Sequence, residues 1–282
     1  MSIVNPIQRN LKFLLPVDRV TDWHADGVHV SQFLNTLSLF FPQGERFFID
    51  SVRHYRDQID EPELQASVKA FIAQEAMHGR EHQIYNDAME AAGFPIKSME
   101  DRVTRRLKRL QKVSSPAYCL AVTVALEHLT AIMADALLKS PAALEGAEPR
   151  FKALWEWHAL EETEHKAVAF DVYQQVVGTG TRAYLLRCAT LFMATTIFFS
   201  LCTIFYLRIL RRSRALINLR GWWSLTRHLW LRPGVFRKAL PSWFAWFKPG
   251  FHPWQHDNRH HLEQLDELVE RVESFGHEQQ AA

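Results

Sequence analysis

Glu75-Ala-Met-His78 and Glu162-Thr-Glu-His165 decide the reading of this chain. A glutamate and a histidine three residues apart project from the same face of a helix. Each pair follows a lone glutamate, Glu45 and Glu127, by about the length of a helical hairpin. Between Glu45 and Glu75 the breaker Asp60-Glu61-Pro62 falls near the midpoint, and between Glu127 and Glu162 the stretch from Ser140-Pro141 to Glu148-Pro149 does the same. If each proline-marked break is a turn between antiparallel helices, the two glutamates of a hairpin lie at equal depth, about 20 Å from the turn. One Glu-x-x-His is ordinary on a solvated helix face. Two, each with a level-matched glutamate on an apolar background, make the ligand set of a carboxylate-bridged two-metal site inside a helical bundle.

The spacing predicts an all-α fold: a four-helix bundle over residues 28–178 after an irregular lead-in at 1–27. The first helix runs from Val28 to Gln58, with Phe40, Phe41, Phe47 and Phe48 around Glu45, and Pro42 and Gly44 predict a kink or break just ahead of that glutamate. The second spans Glu63 to Ala92 and stops at Gly93-Phe94-Pro95. A basic connector, Arg102 to Lys112, reads as a short exposed helix crossing the bundle. The third runs from Pro116 to Ser140 and the fourth from Arg150 to Val177. There is no convincing strand alternation and no solenoid repeat.

The formal charge of +2 conceals an asymmetry. Residues 1–171 carry 19 basic and 24 acidic side chains, residues 172–256 carry 12 basic and no acidic ones, and residues 257–282 carry 2 and 7. Within the basic stretch, Cys188 to Leu207 is an uncharged apolar run of 20 residues, about enough to span a hydrocarbon core. Arginines flank it at both ends, which fits a re-entrant, hairpin or in-plane insertion better than a simple span. Trp222, Trp223, Trp230, Trp243, Trp246 and Trp254 follow, interleaved with arginine and lysine, as in an interfacial segment. The alternative is a fifth buried helix with a nucleic-acid-binding or dimerising arm. Residues 179–256 are therefore expected to be a membrane-associating arm and 257–282 an acidic amphipathic tail. A mean hydropathy of −0.18 argues against a polytopic protein. Met1 to Phe13 lacks the apolar core of a signal peptide, and three scattered cysteines fit a reducing compartment. The expected location is the cytoplasmic side of a membrane, peripheral or with one inserted segment.

At the metal site, Glu75 and Glu162 are expected to bridge, Glu45 and Glu127 to bind terminally, and His78 and His165 to give one imidazole per metal. Such oxygen-rich donors suit iron first, with manganese or zinc as alternatives. His82 and His158 fall on the same faces, as an additional ligand or as groups that orient one, and Glu161 is placed to accept a hydrogen bond from a ligand imidazole. Glu81, Glu164 and His128 are rotated away.

The pattern Glu45…Glu75-x-x-His78…Glu127…Glu162-x-x-His165 resembles the ferritin-like di-iron carboxylate proteins over residues 28–178. More narrowly, FFPQGERFF (40–48), FIAQEAMHGREH (71–82), LEHLTA (126–131) and WHALEETEHKAVAFDVY (157–173) resemble a bacterial family labelled predicted metal-dependent hydrolases. The first resemblance implies oxygen-dependent redox chemistry and the second metal-dependent chemistry of unnamed substrate. The leading expectation is a di-iron oxidoreductase activating dioxygen to oxidise an apolar or lipid-like substrate. Its partners would be a small apolar substrate, a membrane surface and an electron donor, with a homodimer allowed and no nucleic acid. The alternatives are a two-metal hydrolase of an ester or phosphoester, in which the metals would have to do the work because no GxSxG nucleophile motif is present, and a non-enzymatic metal- or iron-handling bundle.

Overall fold

A computed structural model describes residues 4–281. Among these residues there is no strand, and the all-α expectation holds. The first predicted helix is two: α1 (Val28–Ser38) and α2 (Phe41–Arg53) are separated at Leu39-Phe40, with Pro42 in the first turn of α2. Proline is favoured there because its missing N–H has no helical partner to lose. The helices α3 (Pro62–Ala91), α4 (Ile96–Val113) and α5 (Pro116–Leu138) follow. Gly93, at φ +87°, ends α3 in a conformation other residues avoid. Helix α4 is longer than the predicted connector, because Ile96, Met99 and Val103 give it a buried stripe.

Ser115 caps α5 by accepting the amide of Tyr118, and Glu148 caps α6 (Pro149–His165) by accepting those of Arg150 and Phe151. The fourth predicted helix breaks directly after His165, and α7 begins at Val168 and ends at Val176. At the break Lys166 turns inward, donating to the carbonyl of His256 (2.7 Å) and Oδ1 of Asn258 (2.6 Å).

The bundle is built of α2, α3, α5 and α6, with α2 lying along α3 and α5 along α6. Gly79 permits the first of these contacts, since a Cβ there would stand 3.0 Å from Oε2 of Glu45. Helix α8 (Thr181–Arg212) packs along α5 and α1. The short α9 (Leu219–Thr226) lies on α1, α10 (Val235–Ala245) on α5, and α11 (Leu265–Ala281) on α6.

Two helices, α5 and α8, are long and apolar enough to cross a membrane. They differ in burial: 67% of the most apolar window of α5 lies inside the protein, against 33% for α8. Helix α5 is thus the bundle's core helix. Helix α8 buries Leu191, Ala194, Leu201 and Phe205 and exposes Leu185, Phe192, Ile197, Ile204 and Leu207. Arg187 leaves the outer face uncharged by turning inward, where its guanidinium donates to the carbonyl of Trp246 and lies 4.7 Å from that indole. The hydroxyls of Thr195, Thr196 and Thr203 bond back to carbonyls four residues earlier, so they ask nothing of their surroundings.

Candidate metal centre

Four helices bring the six predicted side chains into one buried cluster. Glu45 comes from α2, Glu75 and His78 from α3, Glu127 from α5, and Glu162 and His165 from α6, none of them more than 2% exposed. His158, one helical turn before Glu162, joins them. Three triplets each place one donor atom per residue within 4.8 Å of the others: Glu45–His78–His158, Glu75–His78–Glu162 and Glu75–Glu127–His165. The shared His78 and Glu75 fuse the triplets into a single centre.

Both carboxylates of the Glu-x-x-His pairs face imidazoles from both hairpins. Oε1 of Glu162 lies 3.2 Å from Nε2 of His158, 3.5 Å from Nε2 of His165 and 4.0 Å from Nδ1 of His78. Oε1 of Glu75 lies 3.1 Å from Nε2 of His165 and 3.9 Å from Nδ1 of His78. These are close approaches rather than aligned hydrogen bonds. Both oxygens of Glu45, Glu75 and Glu127, Nδ1 of His78, and Nε2 of His158 and His165 are buried without a hydrogen-bond partner. Buried polar atoms are normally satisfied, and so many unpaired donors and acceptors aimed at one point require a ligand that accepts all of them. A cation of oxygen and nitrogen preference does so.

The outer atoms of the imidazoles fix which nitrogen is free. The side-chain amide of Gln74 donates to the carbonyl of Ile7 (3.0 Å) and to Glu164 (2.7 Å), so its Oε1 accepts from Nδ1–H of His165 at 2.9 Å. The lone pair of His165 is then on Nε2, facing the carboxylates. Likewise the amide of Asn86 donates to Ser38 O and Glu100, and its Oδ1 accepts from the Ser38 hydroxyl at 2.8 Å. The Ser38 oxygen therefore accepts from Nδ1–H of His82 (2.9 Å), and Nε2 of His82 accepts from Nδ1–H of His158 (2.9 Å). That leaves Nε2 of His158 bare toward the centre. Nε2 of His78 lies 3.1 Å from Oε2 of Glu161, and an imidazole that binds a cation through Nδ1 donates its remaining proton there. His82 thus orients His158, and Glu161 orients His78.

Sequence reasoning missed the next layer. Arg9, from the irregular lead-in, donates to Glu161 at 3.1 Å and to Glu164 at 2.9 Å. Glu164, set aside as rotated away, does point away from the clustered donors but anchors Gln74 and hence His165. The spacing of Glu161 and Glu164, three residues apart on one face, was the available signal. Thr130 donates to Oε2 of Glu162 at 2.8 Å. His128 does point elsewhere: its ring stacks on Trp246 at 4.5 Å and its Nε2 meets the carbonyl of Ser242. Glu81 pairs with Arg80 at 2.8 Å.

Burial raises the carboxyls of Glu45 and Glu127 well above the usual range, and the neighbouring Glu75 and Glu162 push in the same direction. Glu75 is raised too, chiefly by burial. Burial opposes charge on Glu162 and His165 as well, but their mutual attraction wins: the carboxyl is held well below its ordinary value and the imidazole well above. A cation at Nε2 of His165 would take the place of the second proton that these carboxylates favour there. Burial lowers His78 and His82 strongly, keeping both neutral, the form that binds metal. Burial pushes Glu161 up to about 8 against the pull of Arg9.

A cavity of about 710 Å³ reaches the centre at Glu45 and Thr130. Its walls include Phe40, Phe41 and Phe48, three of the four phenylalanines expected around Glu45, while Phe47 is buried in the core. Phe41 also covers His82 and His158, with ring centroids 4.4 and 4.3 Å away.

No curated protein and no solved structure matches the chain. One family model does, over residues 7–257, under the description predicted metal-dependent hydrolase. That description overturns the expectation of a dioxygen-activating oxidoreductase and agrees instead with the alternative of a metal-dependent hydrolase. With a match across most of its length and a buried centre of metal-binding donors at its heart, the chain belongs to this family of predicted metal-dependent hydrolases.

Proposed function

We propose that the protein is a hydrolase of ester or phosphoester bonds that uses two divalent cations, held by Glu45, Glu75, His78, Glu127, His158, Glu162 and His165. The unpaired buried donors of these residues carry the reading. Glu75 and Glu162, each facing nitrogens of both hairpins, would be shared between the cations, with Glu45 and Glu127 each supplying a carboxylate from α2 and α5. Manganese, zinc and ferrous iron all suit the donor set. Bound cations would lower the pKa of water and polarise the carbonyl or phosphoryl oxygen under attack.

The chain's own groups do the rest. Thr130 fixes the carboxylate plane of Glu162 through its hydroxyl. Glu161 and Gln74 hold the protons of His78 and His165 on their outer nitrogens, which keeps the inner ones free. Phe41 and Trp157 exclude water from the imidazole faces, Trp157 standing edge-on to His78 at 4.7 Å. Glu45 and Thr130 mark where substrate meets the centre from the apolar cavity.

The enzyme works at a membrane surface with the outer face of α8 in the bilayer plane. Leu185 to Leu207 extend the exposed apolar side chains over about 33 Å of helix, and Arg182, Arg208 and Arg211 flank them. The threonine hydroxyls satisfied within the helix support the same reading.

Metal analysis paired with turnover tests the function. Protein loaded anaerobically with Mn²⁺ or Zn²⁺ is expected to hold two ions per chain and to release p-nitrophenol from p-nitrophenyl hexanoate or bis(p-nitrophenyl) phosphate without oxygen. Glu162→Ala should lose both properties. Hydrolysis that ignores metal loading, or none with any of these ions, would sink the reading.

A further inference from the structure

The cavity that meets the centre has two kinds of wall. Helix α5 contributes Val122, Leu126 and Leu129, and α8 contributes Ile197, Phe198 and Leu201, a surface without a charged group. Helix α4 contributes Arg102, Arg105, Arg106 and Arg109. Arg102, Arg106 and Arg109 follow the i, i+4, i+7 spacing of one helix face. Among the described residues none of these four arginines makes a hydrogen bond or ion pair with the rest of the protein. The nearby carboxylate of Glu100 is already engaged, accepting from Asn86 at 2.7 Å and Gln83 at 3.3 Å. Glu45, at the metal centre, is the acidic group among the lining residues. A volume of about 710 Å³ is within the range of about 300–1,000 Å³ that holds small ligands. An apolar channel beside four uncommitted guanidinium groups is complementary to a molecule with one long aliphatic chain and one anionic group.

We propose that this cavity binds an anionic single-chain amphiphile, with its aliphatic chain between α5 and α8 and its carboxylate or phosphate on the arginines of α4. The inference deepens the hydrolase reading, because such a molecule would be the substrate or product of the adjoining centre. It does not depend on turnover for its test.

Full-length protein is titrated calorimetrically with dodecanoate and with dodecyl phosphate, below their micellar concentrations, and with dodecyltrimethylammonium as the cationic control. One saturable site per chain is expected for at least one anion, with the head preferred showing whether carboxylate or phosphate is read. Affinity should rise by about fourfold per methylene between octanoate and dodecanoate. The surface variant R102Q/R106Q/R109Q should bind the anion at least about tenfold more weakly while keeping its helical circular dichroism. Ala194→Trp, which fills the channel, should abolish binding. The proposal is overturned if neither anion saturates, if the cation binds as well, if chain length is without effect, or if the arginine variant binds normally. Binding must also persist after chelation, since loss on chelation would place the head group on metal rather than on α4. Metal content and turnover report separately on the hydrolase reading, so either can fail alone.

Discussion

The inside of the bundle and the outside of the arm reverse the usual distribution of polarity. In the bundle, carboxylates and imidazoles sit where a core helix such as α5 would otherwise carry leucine and alanine. On α8, by contrast, Phe192 is 64% and Leu185 57% exposed on an uncharged face. Either arrangement alone would be costly, because unpaired buried charge and uncovered apolar surface are both unfavourable in water. Each region becomes intelligible when a partner supplies what it lacks: cations for the interior, an apolar surface for the exterior. The contrast also separates the two in experiment, since a change in one should leave the other standing.

The largest expected separation comes from groups one bond removed from the centre. Glu161→Ala and Gln74→Ala should each weaken metal affinity by about 10–100-fold, measured by competition with a chelating dye, without altering vesicle binding. On the other side, Phe192→Asp with Leu185→Asp should cut cosedimentation with anionic vesicles by about tenfold or more and leave metal content intact, given about 1.5–3 kcal/mol for each large apolar side chain withdrawn from water. If vesicle binding survives that pair, the outer face of α8 is not the contact surface.

Smaller effects sharpen the junction between the regions. A Cβ at Gly221 would stand 2.0 Å from the ring of His29, whose Nε2 meets the carbonyl of Ala215 and whose Nδ1 meets the Tyr206 hydroxyl. Gly221→Ala should therefore destabilise the docking of α9 on α1 by about 1–3 kcal/mol, seen as faster proteolysis within residues 213–234. The least effect is expected from pH. His24 and His228 pack edge to face at 5.2 Å, and burial lowers both. The unfolded chain then binds protons that the folded one refuses, so the stability these groups contribute is present above about pH 6.5 and is lost as pH falls below it. The protection of amides around residues 227–231, corrected for the intrinsic pH dependence of exchange, should fall between neutrality and mild acid, and the double variant His24→Gln, His228→Gln should lose that dependence.

Much of the centre was legible because helix geometry is local. Glu75 and His78 share a face whatever surrounds them, and proline-marked turns level the glutamates of a hairpin. The break before α2 was readable from Pro42. What could not be read depends on contacts between segments distant in sequence. Arg9 reaches Glu161 and Glu164 across more than 150 residues, and nothing in the first 27 residues announces it. The break after His165 follows Lys166 turning toward Asn258, another distant partner. His158 sat on the correct face, but its promotion from supporting group to member of the cluster required the position of Glu45. The chemistry of the centre was the least legible, since the same donors suit redox and hydrolytic work, and it is the family description that favours the second.

A single guanidinium, that of Arg9, steadies Glu161, the proton-accepting partner of His78, and through Glu164 it steadies Gln74, that of His165. Anything that shifts this arginine changes the basicity of His78 and His165 in concert. Metal uptake at the two histidines should consequently be coupled, under the control of a segment that supplies none of the clustered donors.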